Sequence, residues 1–268
     1  MKIATWNVNS IRARLTHVLD WLNDSPVEVL CLQETKVVDA DFPRSPFEEQ
    51  GYAVYPFGQK SYNGVAFLSR LPLEAVSGGF GPILDPDGQN PELSQFDEQK
   101  RVLTGLVAPE LRLVNLYVPN GSSVGSDKYA YKLRWFELLG QYLTQLQEQG
   151  DAILMCGDFN IALEDRDIHD PDNKADHIMA SAPERAALQA ILDLGFADAF
   201  RKFTAETGHY SWWDYRSASF RRNMGWRIDH HYLTPDLYEK AVSCTIDRAP
   251  RSQTQPSDHT PVIVDLAV

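Results

Sequence analysis

Short apolar runs recur along the chain and predict the strands of an α/β protein. Val29-Leu30-Cys31-Leu32 and Ala152-Ile153-Leu154-Met155-Cys156 are continuous in hydrophobicity, which is typical of strands covered on both faces. Apolar runs of this kind predict strands at 2–8, 28–33, 64–69, 102–107, 112–118, 152–157, 227–233 and 262–266.

Helical periodicity separates some of these runs. It predicts helices over 11–22, 128–149 and 183–194, and Ser181 is a candidate cap for the last of them. Two long loops, 78–98 and 164–182, are rich in turn-forming or charged residues and are of the kind that carries function. We find no repeat and no low-complexity linker, so we expect one layered α/β domain over 1–268.

Composition narrows the class of protein. The chain has 268 residues, 43% hydrophobic and 23% charged, which is typical of a globular protein with a large core. A net charge of -12 argues against broad, nonspecific nucleic-acid binding, but it leaves room for a local basic face and for carboxylates gathered around a cation. No apolar run is long enough to span a membrane, and we expect no signal peptide and no membrane partner. We expect buried, reduced thiols in a cytoplasmic protein at Cys31, Cys156 and Cys244.

Polar side chains follow several of the predicted strands. Strand 28–33 leads into Glu34, and strand 152–157 leads into Gly157-Asp158-Phe159-Asn160. Taken alone, each such group is most simply a turn or a cap, because Gly, Asp and Asn are turn formers. Ligands bind at strand ends in α/β folds, however, and together these residue types suit a divalent-metal phosphodiesterase. The other members of the set are Asn7, Asn9, Tyr117, Asp229, Asp258 and His259.

Five motifs in this order resemble the exonuclease III family of apurinic/apyrimidinic (AP) DNA endonucleases, part of the endonuclease/exonuclease/phosphatase superfamily. Each motif alone is shared with the wider superfamily, whereas the five together with Ser211-Trp212-Trp213-Asp214-Tyr215-Arg216-Ser217 are specific, and the resemblance runs from Ile3 to about Val264. The motifs are Leu32-Gln33-Glu34-Thr35-Lys36, Tyr117-Val118-Pro119-Asn120-Gly121, Gly157-Asp158-Phe159-Asn160-Ile161, Trp226-Arg227-Ile228-Asp229 and Ser257-Asp258-His259-Thr260-Pro261.

The resemblance implies a fold and an activity. The fold is a four-layer α/β sandwich of two mixed β-sheets packed face to face and flanked by helices. The activity is that of a Mg²⁺-dependent enzyme of base excision repair, with Mn²⁺ as a substitute, acting as a monomer on double-stranded DNA. It would cut 5′ of abasic sites to leave a 3′-hydroxyl, and the family also allows 3′→5′ exonuclease and 3′-phosphodiesterase or phosphatase activity.

The resemblance also implies roles for the residues at the strand ends. Glu34 is the first choice for the metal, because a hard carboxylate suits Mg²⁺. Asp158 would orient and deprotonate the attacking water, and Asn160 would fix that water and a phosphate oxygen. Asp229 would orient His259, which donates to the phosphate. Tyr117 would donate to the phosphate or stabilise it as a phenolate. The full metal set is Asn7, Glu34, Asp158, Asn160 and Asp258.

A segment rich in arginine and aromatic residues, 209–228, predicts a local DNA surface. By resemblance, Trp212, Trp226 and Ile228 match the family's pocket for a flipped-out abasic sugar. Trp213 is expected in the core instead. The DNA-backbone contacts expected are Lys36, Asn120, Arg216 and Arg227, with Lys128 and Lys132 in addition.

Two departures from the family pattern affect the substrate. Ser122-Ser123 follows Gly121, so an arginine that some relatives insert into DNA is missing there. Loop 164–182 is also divergent. These places are expected to set the balance between abasic incision and exonuclease activity, which the sequence leaves open.

Two other functions remain as alternatives. A superfamily phosphodiesterase acting on a small or lipid phosphate would use the same metal centre, but the segment 212–227 argues against it. A catalytically inactive DNA-binding or scaffold protein would not need the intact set of candidate catalytic residues.

Overall fold

The computed structural model describes residues 1–108, 111–174 and 176–268. In chain order the strands are β1 (Lys2–Asn7), β2 (Val29–Gln33), β3 (Ala53–Phe57), β4 (Val65–Ser69), β5 (Glu74–Gly78), β6 (Val102–Ala108), β7 (Leu111–Tyr117), β8 (Ala152–Asp158), β9 (Ala197–Asp198), β10 (Asp229–Leu233), β11 (Ala241–Ile246) and β12 (Val262–Leu266). The helices are α1 (Leu15–Asp24), α2 (Ser45–Glu49), α3 (Gly81–Leu84), α4 (Pro91–Asp97), α5 (Asp127–Glu148), α6 (Ala182–Leu192), α7 (Ala199–Phe203) and α8 (Pro235–Lys240).

The strands form two six-stranded sheets. The first has the order β11-β12-β1-β2-β4-β3 and the second β5-β6-β7-β8-β10-β9. Both are mixed, because β1 pairs parallel with β2, and β7 parallel with β8, among antiparallel neighbours. The two parallel pairs are central, and β2 is buried along its whole length, as its continuous apolar run predicts.

The sheets face each other across an apolar core that includes Ile3, Cys31, Phe67, Leu113 and Cys156. A second core packs α5 and α6 on the outer face of one sheet, and a third packs α1 and α2 on the outer face of the other. This is the four-layer α/β sandwich implied by the resemblance, and the fold prediction is confirmed.

A buried polar link crosses the core between the sheets. Asn115 on β7 donates from Nδ2 to the carbonyl oxygens of Leu32 at 3.1 Å and Ala66 at 3.0 Å, and Gln33 Nε2 donates to Asn115 Oδ1 at 2.7 Å. Buried polar groups that are satisfied in this way fix one relative placement of the elements they join. The link lies just below the strand ends that carry the candidate site.

Several predicted boundaries move. The helix predicted at 11–22 begins only at Leu15, because 11–13 form turns. The strand predicted at 227–233 begins at Asp229, and loop 78–98 contains α3 and α4. Ser181 and Glu184 do form a capping box at the start of α6.

All three cysteines are buried and free. Among the described residues, no helix is both long and apolar enough to cross a bilayer.

Candidate active site

Strand register brings the candidate residues of the second sheet together. Tyr117 at the end of β7 lies beside Asp158 at the end of β8, and Asp229 at the start of β10 lies on the other side of Asp158. The first sheet contributes Asn7 at the end of β1 and Glu34 directly after β2. Asn7 joins the two groups, because its Nδ2 atom donates to Glu34 Oε1 and to Asp158 Oδ2, each at 2.9 Å.

Gly157 allows β7 and β8 to approach closely at this point. Its φ is +144°, and a Cβ atom there would lie 1.9 Å from the carbonyl oxygen of Leu116. The sequence pattern favours a turn at Gly157-Asp158-Phe159-Asn160, but Gly157 and Asp158 lie within β8 and the chain leaves the strand only after them. The glycine is therefore required by the neighbouring strand and not by a turn.

Asn160 adopts a left-handed conformation, with φ +49°, and Glu34 does the same with φ +51°. Non-glycine residues in this region are strained and cluster at functional sites. The Asn160 amide nitrogen donates to Asp158 Oδ1 at 2.9 Å, and its side-chain Oδ1 accepts from Asn120 Nδ2 at 3.0 Å. Phe159 is fully buried, as an anchor in the core.

His259 is paired with Asp229. Its Nδ1 atom lies 2.9 Å from Asp229 Oδ2, and Ser211 Oγ donates to that same oxygen at 2.6 Å. Ser211 begins a segment that supports the resemblance, but the sequence assigned it no role in the site. The Nε2 atom of the ring faces Asp158 Oδ2 at 3.7 Å. Burial lowers the pKa of His259, but the carboxylates of Asp229 and Asp158 outweigh it and raise the pKa to about 10, so the ring is an imidazolium at neutral pH.

The carboxylates of Asp158 and Glu34, which both accept hydrogen bonds from Asn7, differ in pKa. Burial, reinforced by the charges of Asp229 and Glu34 and offset in part by His259, raises the pKa of Asp158 to about 7. Burial also raises the pKa of Glu34, but the Lys36 ammonium, 2.8 Å from Oε2, and the Asn7 hydrogen bond outweigh it and lower the pKa below its usual range. Asp158 therefore titrates near neutrality while Glu34 stays ionised.

The carboxylates fit a divalent cation. Ligand-capable atoms of Glu34, Asp158 and His259 all lie within 4.8 Å of one another. A protonated imidazole has no free lone pair, so of these three side chains the two carboxylates are the ones that could hold a cation, and hard oxygen donors with excess negative charge suit Mg²⁺ or Mn²⁺.

The other predicted metal residues surround these two carboxylates. Asn7 turns its amide nitrogen toward them and Asn160 Oδ1 is taken by Asn120, so both orient neighbouring groups. Asp258 lies outside the cluster and accepts from Trp212 Nε1 and Asn9 Nδ2, each at 3.0 Å. Asn9 lies beyond the end of β1, with φ +45°, and reaches the site region through its bond to Asp258.

Tyr117 presents a neutral phenol to the site. Burial, together with the charge of Glu34, raises its pKa well above the usual value. The Arg101 guanidinium lies 4.5 Å from the centre of the Tyr117 ring, and Arg101 Nη1 donates to the Tyr117 carbonyl oxygen at 3.1 Å. Of the two roles left open for this residue, hydrogen-bond donor is the one compatible with neutral pH.

An apolar cluster adjoins the site through Trp212, Trp226 and Ile228, and the side chains of Trp226 and Ile228 are buried. The three predicted pocket residues are thus in one place. His177, from the divergent loop 164–182, is exposed and its ring centre lies 5.3 Å from that of Trp226. Trp213 is fully buried, as expected.

Arg227 is not available to DNA, and the prediction of a backbone contact there is wrong. The side chain is 1% exposed and donates to Asp167 Oδ1 at 2.8 Å and to Asp198 Oδ2 at 2.7 Å. Arg201 also pairs with Asp167, and His230 Nδ1 lies 3.0 Å from Arg227 Nη1. Through this buried network, Asp167 of loop 164–182 is held against Arg227, which precedes β10.

Lys132 is also wrong as a DNA contact, because it is fully buried against Glu184. The other predicted contacts are at the surface: Asn120, Lys128 and Arg216 are exposed, and Lys36 is partly exposed. Arg216 pairs with Asp214 at 2.8 Å but keeps 88% of its side chain exposed.

Comparison with known proteins identifies this arrangement. Residues 4–259 match the Endonuclease/Exonuclease/phosphatase family. The exodeoxyribonuclease III of Haemophilus influenzae is 33% identical, over 98% of this chain and 98% of its own. An AP endonuclease from Archaeoglobus fulgidus is 39% identical with a TM-score of 0.92, over 100% of both chains. The chain belongs to the exonuclease III family of AP endonucleases.

Exonuclease III family members are metal-dependent DNA nucleases, and this chain is a nuclease of that kind. A further relative is a 3′ phosphatase from Neisseria, NExo, whose structure contains a product DNA hairpin. It is 36% identical with a TM-score of 0.92, over 100% of both chains. Relatives of similar identity are therefore described by different activities on DNA.

Proposed function

We propose that the chain is a Mg²⁺-dependent DNA-repair phosphodiesterase that cuts double-stranded DNA 5′ of abasic sites, leaves a 3′-hydroxyl, and processes 3′ ends at the same centre. The carrying observation is the cluster of Glu34 and Asp158 beside the His259–Asp229 pair, with ligand-capable atoms within 4.8 Å. A relative described as an AP endonuclease supports incision at abasic sites, and one described as a 3′ phosphatase supports the processing of 3′ ends.

Glu34 and Asp158 would hold the metal, and Asn7 would keep the two carboxylates apart and aligned. When bound there, Mg²⁺ supplies positive charge against the negative charge of the scissile phosphate. Mn²⁺ prefers the same hard oxygen ligands and is expected to substitute.

The remaining side chains act directly on the phosphate and the attacking water. His259 Nε2 donates to a non-bridging phosphate oxygen, while Asp229 fixes the ring through Nδ1. Tyr117 donates from its phenol to the same phosphate. Donors that are already oriented stabilise the charge that develops in the transition state, because no reorganisation is needed during the reaction.

Asp158 takes the proton of the attacking water. Its carboxylate is buried at the end of β8, and its Oδ1 atom accepts from the Asn160 amide nitrogen at 2.9 Å, so it is fixed beside the residue that would hold the water. Asn160, held by Asn120 at 3.0 Å, fixes that water and a phosphate oxygen. The side-chain amides of Asn120 and Asn160, called the amide pair below, would thus set the direction from which the water attacks the phosphate.

The proposed DNA surface consists of cationic and polar side chains around this centre and of the apolar cluster beside it. Lys36, Asn120, Lys128 and Arg216 would contact the backbone. Trp212, Trp226 and Ile228 would form one wall of the abasic-sugar pocket, where the absence of a base makes extrusion from the stack least costly. We propose a monomer in the cytoplasm, in keeping with three free, buried thiols.

A time course with two substrates tests the proposal. The purified protein should cut a duplex with one abasic site on its 5′ side in Mg²⁺, while a blunt, undamaged duplex measures exonuclease activity. EDTA and Asp158→Asn should each stop both reactions. Failure to cut either duplex in Mg²⁺ or Mn²⁺ contradicts the proposal, and faster turnover of a lipid headgroup phosphodiester would favour a different substrate class.

A further inference from the structure

Lys132 is a buried cation with three partners on three different segments. Its side chain, on α5, is fully buried, and Nζ donates to Glu184 Oε1 at 2.6 Å, to the Asn160 carbonyl oxygen at 2.8 Å and to the Asn120 carbonyl oxygen at 3.2 Å. A buried ammonium is unfavourable unless it is paired and hydrogen-bonded, so all three bonds are needed to keep it there.

Two of these partners are the backbone carbonyl oxygens of the amide pair, Asn120 and Asn160. Asn120 follows β7 and Asn160 follows β8, and their side chains bond to each other through Asn120 Nδ2 and Asn160 Oδ1 at 3.0 Å. Lys132 therefore ties together, through their carbonyl oxygens, the same two residues whose side chains meet at the site. Asn160 has φ +49°, a conformation that persists only where its surroundings enforce it.

The third partner extends the connection to the apolar cluster. Glu184 Oε1 also accepts from the Met179 amide at 3.1 Å, and Oε2 accepts from the Ser181 amide at 3.2 Å and from Ser181 Oγ at 2.6 Å. Met179 packs in the cluster that contains Trp226 and Ile228. One buried ion pair thus joins the amide pair to a wall of the proposed sugar pocket.

We propose that Lys132 is a positioning residue for phosphodiester cleavage, which holds the Asn120–Asn160 amide pair in its working geometry and, through Glu184, in register with the pocket wall. The proposal rests on the proposed function for the role of the amides. It replaces the DNA contact expected from the sequence, because the ammonium faces only protein groups.

Lys132→Met tests this with Arg134→Met as the matched control, since Arg134 is on the same helix and pairs at the surface with Glu92. Lys132→Met should lower kcat on abasic-site duplex by about tenfold to a hundredfold with KM little changed, because small misplacements of positioned groups have effects of that size. It should also shift the side-chain amide resonances of Asn120 and Asn160 in ¹H–¹⁵N spectra. Lys132→Arg should restore part of kcat, and Arg134→Met should change neither measurement.

A double-mutant cycle separates positioning from general stability. In an Asn120→Ala background, Lys132→Met should lower kcat by a smaller factor than in the wild type, because part of the unit it holds is already gone. Equal factors in both backgrounds, or amide resonances at their wild-type positions in Lys132→Met, would overturn the proposal.

Glu184→Gln keeps a hydrogen-bonding side chain and serves if Lys132→Met does not fold. It should shift the same two amide resonances and lower kcat to a smaller extent, and wild-type resonances in this variant would also overturn the proposal. A wild-type enzyme that fails to cut abasic DNA would instead contradict the proposed function, because the amide resonances report on Lys132 independently of activity.

Discussion

Asp229 Oδ2 lies 2.9 Å from Nδ1 of His259 and, with Asp158, keeps the imidazole charged despite its burial. Burial alone would lower the pKa of His259, whereas the structure raises it to about 10. If the imidazolium donates to the phosphate, activity is retained below this pKa and lost as pH rises through it. Asp229→Asn should move the alkaline limb of the kcat profile to lower pH, measured from about pH 6 to about pH 10.

His259→Gln is the companion variant for this profile. It removes the charged donor, and kcat should fall by roughly 10²- to 10³-fold, as for other single donors to a transition-state oxyanion. If Asp229→Asn shows no loss of activity at lower pH than the wild type, His259 acts without its proton.

Removal of a metal-ligating carboxylate should weaken the dependence on Mg²⁺ in a measurable way. Glu34→Gln should raise the Mg²⁺ concentration for half-maximal activity by at least about tenfold, because a neutral amide is a poorer partner for a hard cation. Glu49→Gln, at an exposed site on α2, is the control. Calorimetric titration of Mn²⁺ into both variants would measure the same loss without turnover, and unchanged affinity in Glu34→Gln would place the metal elsewhere.

His177 packs against the Trp226 indole, with ring centres 5.3 Å apart and the rings tilted by 51°, and we expect it to narrow the approach to the proposed sugar pocket. His177→Ala should therefore raise the rate of abasic-site incision relative to the rate of 3′-phosphate removal, which does not require a flipped sugar within the duplex. His169→Ala, exposed on the same loop, is the control. A ratio of rates identical in the wild type and His177→Ala would show that this ring does not limit access.

Asp167 is predicted to contribute to stability in a pH-dependent way. Burial raises its pKa, but the charge and hydrogen bonds of Arg227 outweigh this and lower the pKa below its usual range. Because the folded-state pKa is depressed, the stabilisation is present above the ordinary carboxyl pKa of about 4 and is lost as pH falls further. Asp167→Asn should lower the free energy of unfolding by about 3–5 kcal/mol at neutral pH, since it takes the carboxylate away from Arg201 and leaves buried Arg227 with Asp198 alone.

Urea unfolding at several pH values measures this effect. The difference between wild type and Asp167→Asn should shrink below about pH 4. Asp172→Asn, at an exposed position of the same loop, should change the unfolding free energy by less than about 0.5 kcal/mol. A difference that does not depend on pH would mean that the charge of Asp167 is not what stabilises the loop.

The strands that were predicted are those whose burial is visible in the sequence itself. Continuous apolar runs give β2 and β8; Glu34 follows directly after β2, and β8 ends at Asp158. Strands β3, β5 and β11 are less completely buried, so they lack that signal. The polar residues at strand ends were found because their types are unusual next to buried strands, and the sheet register then brought Tyr117, Asp158 and Asp229 together.

The two residues wrongly predicted to contact DNA were misassigned for the same physical reason. Arg227 and Lys132 were assigned to DNA because cations are usually exposed, yet each is buried by carboxylates distant in sequence. Asp167 lies 60 residues from Arg227, and Glu184 lies 52 residues from Lys132. The sequence around each residue does not predict such ion pairs, because they depend on which distant segments the fold places side by side.

The polar link of Asn115 with Gln33, Leu32 and Ala66 connects the two sheets directly beneath the site. Glu34 and Asn7 come from one sheet, whereas Asp158, Asp229 and Tyr117 come from the other. Neither sheet alone contains the chemistry. Nuclease activity therefore depends on the docking of two separately hydrogen-bonded sheets, and a chain whose sheets are not docked lacks half of its candidate active site.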